Sequence, residues 1–197
     1  MITAEAFKDA MAAVCAPVTV ITTTWNGRPF GTTVSAFWSL SLRPPLVGLA
    51  LANDSELLAR LRSTRRLGVN LLADGQQEVA LRFAGKGGDA KFAGVPWALD
   101  DGLPRLGAAP VWLACDVKRF VVAGDHVLAV AEVAAAAREP GLPLIYGHRS
   151  FGTHSTLKEL AQTAARPGQA PAVSRPVISS PAVSSAADNS LEESAHA

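Results

Sequence analysis

Gly31-Thr32-Thr33-Val34-Ser35-Ala36-Phe37-Trp38-Ser39-Leu40-Ser41-Leu42-Arg43-Pro44-Pro45-Leu46 gathers small side chains and hydroxyls just after a hairpin signal. Small residues let a planar ligand lie close to the backbone, whose N–H and C=O groups can then read its polar edges. Thr32, Thr33, Ser35 and Ser39 add hydroxyl donors that could reach a ring or a sugar-phosphate chain. The same composition also suits an edge strand with solvated threonines and serines. The pattern alone leaves both readings open.

Upstream, residues 18–24 are rich in β-branched types and predict a strand. The strand runs into Asn26-Gly27, a pair that tolerates positive φ at both positions and so marks a hairpin, with a returning strand over 29–37. Pro44-Pro45 blocks helix and sets up a strand over 46–51. Asn53 followed by Glu56 has the shape of a capping box, opening a helix through Leu57, Leu58 and Leu61. Further strands are expected at 67–72, 111–121, 126–133 and 144–146, and helices at 5–13, 76–83 and 155–165. Gly85-Lys86-Gly87-Gly88 reads as a loop. Strands arriving as hairpins, without strict β-α-β alternation, predict a mainly β fold: an antiparallel, Greek-key-like barrel with peripheral helices.

The chain has 197 residues, 49% of them hydrophobic, with a mean hydropathy of +0.21. At about 150 residues per domain, this is one domain with a surplus. The domain is expected over 1–160. The surplus lies at 165–197, where Ala, Ser and Pro dominate and no aromatic residue occurs, the composition of a disordered tail. Eighteen Lys and Arg against seventeen Asp and Glu remove the electrostatic case for a dedicated nucleic-acid binder. Cys15 and Cys115 are far apart and form no metal or disulfide motif. The amino terminus lacks the features of a signal peptide and no apolar run is long enough to span a membrane, so a cytoplasmic address is expected.

No GxGxxG opens a helix, the Gly85–Gly88 run lacks P-loop spacing, and neither HExxH nor GxSxG occurs. The histidines, His126, His148, His154 and His196, form no close ligand set, so no metal site is expected.

The 31–46 stretch closely resembles the flavin-contacting segment of the short-chain flavin reductases, the FMN-binding split-barrel reductases that serve two-component monooxygenases. Other segments follow in the family's order: Pro17-Val18-Thr19-Val20-Ile21-Thr22-Thr23, Gly68-Val69-Asn70-Leu71-Leu72, Phe83-Ala84-Gly85, Lys91-Phe92-Ala93-Gly94-Val95-Pro96-Trp97, Gly124-Asp125-His126 and Pro143-Leu144-Ile145-Tyr146. The resemblance covers roughly residues 5–152 and implies an FMN-binding split β-barrel.

Carried over residue by residue, it implies that Gly31, Thr32, Thr33, Val34, Ser35, Ala36 and Ser39 meet the isoalloxazine and ribityl chain. Leu51, Ala52, Asn53 and Ser55 would lie at the phosphate end, where a helix beginning near Asp54 offers free N–H groups to an anion. Asp54 would cap that helix. Phe83 and Ala84 would close over the flavin, although Phe83 also suits a core position at a helix end. His126 would stand on the nicotinamide side, joined by Tyr146, Arg149 and Phe151. Where the family commonly ends Gly-Arg-Tyr, this chain reads Gly147-His148-Arg149-Ser150-Phe151 and so keeps an aromatic face without the hydroxyl.

The activity so implied is an NAD(P)H:flavin oxidoreductase. NADH or NADPH passes a hydride to N5 of FMN (or FAD), and the reduced flavin goes to a separate oxygenase. No protein general acid or base is required for the hydride step. A homodimer is implied as well. Two rivals are an oxidoreductase that holds FMN tightly and reduces another acceptor, and a non-enzymatic flavin- or haem-binding module of the same barrel.

Overall fold

A computed structural model describes residues 1–154. The helix expected at 155–165 and the tail at 165–197 lie outside the described residues. The chain begins with α1 (Ala4–Ala12), capped by the Thr3 hydroxyl accepting the Ala6 N–H at 3.2 Å, followed by β1 (Ala16–Pro17). β2 (Thr19–Trp25) and β3 (Arg28–Val34) form the expected hairpin, with Asn26 and Gly27 both at positive φ. The single strand expected over 29–37 is broken at Ser35-Ala36. There β4 (Phe37–Leu42) starts and turns through Arg43-Pro44 into β5 (Pro45–Ala52).

α2 (Glu56–Thr64) starts later than the Asn53 capping box predicts. Ser55 is its N-cap, its hydroxyl accepting the Leu58 N–H at 3.4 Å. Neither Asn53 nor Asp54 serves, because the Asn53 side chain is committed elsewhere, to the Gly124 carbonyl. β6 (Arg66–Leu71) and α3 (Gln77–Ala84) follow as expected, then a 3-10 turn at Gly88–Phe92. The hairpin of β7 (Trp97–Asp100) and β8 (Leu103–Leu106) was not expected. β9 (Val111–Ala123) and β10 (His126–Arg138) extend beyond the predicted ends, and β11 (Ile145–Gly147) pairs with β12 (Ser150–Gly152), also not foreseen.

The main sheet has seven strands in the order β3-β2-β6-β9-β10-β5-β4, every pair antiparallel. Its two edges, β3 and β4, are consecutive in the chain, with only Ser35 and Ala36 between them. Such a short link requires the sheet to roll until its edges approach. The edges do not pair, so the barrel stays split. The Ala50 N–H donates to the Ala36 carbonyl at 2.9 Å and pins β5 to the link.

β2 is buried on both faces and separates two apolar cores. Ile21 faces the barrel interior with Leu49, Leu51, Leu67, Val69 and the α2 residues Leu57, Leu58 and Leu61. Val18 and Val20 face a second core under α3, with Leu72, Phe83, Phe92 and Leu106. Fully burying side chains of this size contributes about 1.5–3 kcal/mol each. Polar groups between the layers are satisfied: the Asn70 side chain accepts the Leu106 N–H at 2.7 Å, and the Thr22 hydroxyl donates to the Pro104 carbonyl at 2.7 Å. Among the described residues no helix is long and apolar enough to cross a membrane, and no cluster of His, Cys, Asp and Glu could hold a metal.

Candidate active site

The split in the barrel is a cleft of about 540 Å³. Its floor is the β3 edge and the link, from Phe30 to Ala36, and its far wall is Ala50, Leu51 and Ala52 of β5. Residues 54–57, around the start of α2, close one end; Ala84, Gly85, Lys86, Gly88 and Lys91 form the near wall; His126 stands at the rim.

Backbone polarity is the main chemical resource of this cleft. Hydrogen-bonded pairs alternate along an antiparallel ladder, starting at Trp25 and Arg28 beside the two-residue turn. That count leaves the N–H and C=O of Gly31 and Thr33 on the outer edge. Pro29, which has no N–H, falls on the same edge, where none is needed. Across the cleft, the Ala50 N–H is taken by the Ala36 carbonyl, so alternation turns the Leu51 backbone toward β10; the Ala52 N–H faces the cleft, while its carbonyl accepts the Ser55 N–H at 2.9 Å. The Gly31 N–H and the N–H and C=O of Thr33 on one side, and the Ala52 N–H on the other, therefore face the cleft, an arrangement suited to a flat heterocycle with polar rims.

The threonine hydroxyls act differently from expectation. Thr33 Oγ1 donates to the Ala80 carbonyl at 2.6 Å and Thr32 Oγ1 to the Phe83 carbonyl at 3.3 Å, so both protons tie β3 to α3. Phe83 is fully buried and meets Phe92 edge-on at 4.8 Å between centroids. It lies behind Gly31, where a Cβ would come within 2.9 Å of its ring. Phe83 thus supports the cleft from beneath and does not close over it, a correction that follows from its place in the second core.

The amino end of α2 brings Ser55 and unpaired backbone N–H groups to the cleft. Opposite stands Lys91, to which the sequence reading gave no role. Its Nζ donates to the Gly31 carbonyl at 3.2 Å and the Phe83 carbonyl at 3.1 Å. Burial lowers its pKa from the ordinary lysine value, and the Glu56 carboxylate opposes that shift. Its appearance in the Lys91-to-Trp97 motif was the only signal in the sequence.

His126 faces Ala52 across the β5–β10 ladder, and its Nδ1 lies 2.8 Å from Asp125 Oδ1. That hydrogen bond holds the Asp125 carboxyl below its usual range. Asn53, expected at the phosphate end, does not line the cleft; its amide and backbone N–H bond the β9–β10 turn. Ser39 lies exposed on β4, paired with Val47 and outside the cleft. Tyr146, Arg149 and Phe151 belong to the β11–β12 hairpin, where the Tyr146 and Phe151 rings meet at 5.0 Å between centroids, tilted by 56°, and Arg149 is bonded to Asp9 of α1. The chain does not bring these three to the cleft with His126.

A family model described as the flavin reductase like domain matches residues 11–155. The chain is 36% identical over 148 residues to the reductase component of 4-hydroxyphenylacetate 3-monooxygenase from Thermus thermophilus, covering 75% of this chain and 94% of that one. It is 36% identical over 133 residues to a probable flavin reductase of Rhizobium meliloti, covering 66% of this chain but only 42% of the relative's length. Among solved structures, the NADH:FAD oxidoreductase of Streptomyces globisporus in complex with NAD and FAD fragments superposes with a TM-score of 0.73 at 29% identity, covering 77% of this chain and 92% of that one.

Proposed function

Since the chain belongs to the flavin reductase-like family, we propose that it is an NAD(P)H-dependent flavin reductase whose flavin site is the split between β3 and β5. The observation that carries this reading is the open backbone on the β3 edge, at Gly31 and Thr33, facing the Ala52 N–H of β5 across one cleft. Its volume of about 540 Å³ falls within the range of about 300–1,000 Å³ usual for small-molecule sites. Named relatives include NADH:FMN oxidoreductases and reductase components of monooxygenases, which supports the assignment.

In this reading Gly31, Thr32, Thr33, Val34, Ser35 and Ala36 carry the ring on the floor, with Leu51 and Ala52 opposite. Ser55 and the amino end of α2 hold the phosphate, and Ala84 lies on the near wall. When bound, FMN or FAD supplies the N5 position that takes a hydride from reduced nicotinamide. The protein's work is to orient and to exclude water: the strand edges fix the ring plane, and His126, steadied by Asp125, positions the carboxamide side of NADH or NADPH. No side chain serves as general acid or base. The acceptor of the reduced flavin is a separate oxygenase component, the active form is a homodimer, and its place is the cytoplasm.

Anaerobic mixing of the full chain with FMN and NADH tests the proposal. The visible flavin absorbance should bleach far faster with the protein than without it, and equal rates would overturn the assignment.

A further inference from the structure

Resting on the flavin reading above, we propose that Lys91 is the residue that makes the cleft select phosphorylated flavins over riboflavin. An ammonium group has three N–H donors. Two are taken by the Gly31 and Phe83 carbonyls at 3.2 and 3.1 Å. The third has no protein partner among the described residues, and the side chain lines the cleft. A lysine on the surface is a flexible point charge; this one is half-buried and held from two directions, so its charge is preorganised at one place.

That place lies in the part of the cleft lined by Phe30, Gly31 and Glu56, away from the link at Ser35-Ala36. The Glu56 carboxylate is close enough to act on Lys91, yet its ion pair is with Arg60, at 3.3 Å. Glu56 therefore does not neutralise Lys91 by direct contact. A cation fixed in a cleft with a spare donor and no carboxylate bonded to it is suited to an anionic oxygen of the ligand. Of the groups on a flavin, the terminal phosphate carries that charge, and riboflavin lacks it.

A purely structural role is the competing explanation. Lys91 caps the carboxyl end of α3 through Phe83, and a cation there stabilises a helix on its own account. The two roles differ in what they do to two ligands. Equilibrium titration of the full chain with oxidised FMN and with riboflavin, without nicotinamide, separates them. Wild type should bind FMN more tightly than riboflavin. Lys91→Met should weaken FMN by about tenfold, the size of one partly exposed charge-assisted contact, and leave riboflavin nearly unchanged. Lys91→Arg should restore much of the FMN preference.

Equal weakening of both ligands by Lys91→Met would make Lys91 only a brace for β3 and α3, and so would an unchanged FMN preference. Should Lys91→Met fail to fold, equal binding of FMN and riboflavin by wild type would overturn the proposal independently. Wild type binding neither flavin would instead overturn the reading of the cleft on which it rests.

Discussion

The Asn53 side-chain amide donates to the Gly124 carbonyl at 3.2 Å, and the Asn53 N–H donates to the Asp125 carbonyl at 3.0 Å. Asn53 sits where β5 leaves for α2, and Gly124 forms the left-handed turn between β9 and β10, with φ of 63°. One side chain thus straps the wall of the cleft to the turn that carries His126. Asn53→Ala should loosen that turn while leaving the ring floor alone. Loss of one such bond, about 0.5–1.5 kcal/mol, corresponds to a rise of roughly fivefold in KM for the nicotinamide. Steady-state kinetics beside FMN titration would check this; a weaker FMN affinity with unchanged KM would return Asn53 to the flavin side.

His126→Ala should act in the same direction and more strongly. The imidazole stands at the rim, and the floor does not depend on it. Nicotinamide use should fall while flavin affinity stays nearly intact. Equal loss of both, measured by the same two assays, would show that His126 belongs to the flavin contacts.

Gly31 has no room for a side chain. A Cβ there would lie 2.9 Å from Phe83 and 3.2 Å from Phe92, both held in the second core. Gly31→Ala should destabilise the fold by about 1–3 kcal/mol, as overpacking does. It should also displace the strand edge that faces the cleft and weaken FMN binding. Urea unfolding followed by tryptophan fluorescence, with flavin titration of the folded variant, reads both effects.

The Thr33 hydroxyl serves the fold, through its 2.6 Å bond to the Ala80 carbonyl. Thr33→Val keeps the shape and should cost about 1 kcal/mol of stability. On the proposed reading FMN affinity should hardly change, because the Thr33 backbone, and not its hydroxyl, faces the cleft. A large fall in FMN affinity at unchanged stability would show that the hydroxyl contacts the ligand.

Much of the barrel was legible because local chemistry and tertiary context agree there. Asn26-Gly27 tolerates positive φ, and the β-branched run before it fits a strand buried on both sides. Asp101-Gly102 carried the same kind of turn signal, with φ of 51° and 75°, and could have revealed the β7–β8 hairpin. The start of α2 was misjudged because Asn53 and Ser55 are both competent caps; a contact to Gly124, distant in sequence, decides between them. Phe83 and Lys91 were illegible for the same reason. Whether an aromatic at a helix end lies over a ligand or behind a glycine depends on Phe92 and Gly31. A lysine in a loop becomes a fixed charge only when two carbonyls converge on it.

The cysteines differ in a way that pH exposes. Cys15 is exposed, whereas burial, aided by the Asp116 charge, pushes the Cys115 thiol up to about 12. A thiol reagent at neutral pH should modify Cys15 in the folded chain and reach Cys115 only in denaturant. Because the folded pKa lies above the unfolded value of 9.0, stability linked to the neutral Cys115 thiol is intact below that value. It is lost progressively as pH rises toward about 12. Cys115→Ala should remove this alkaline loss, at the cost of some packing, as seen by thermal unfolding across that range.

The most direct test is the rate of NADH and NADPH consumption in air by the full chain as FMN, FAD or riboflavin is added. A reductase working at the cleft predicts little consumption without flavin and a saturable rise with it, and that rise should be sharply reduced in Gly31→Ala. A rate that stays at the protein-free level, from protein that demonstrably binds flavin, would contradict the account and leave a flavin-binding barrel without this activity.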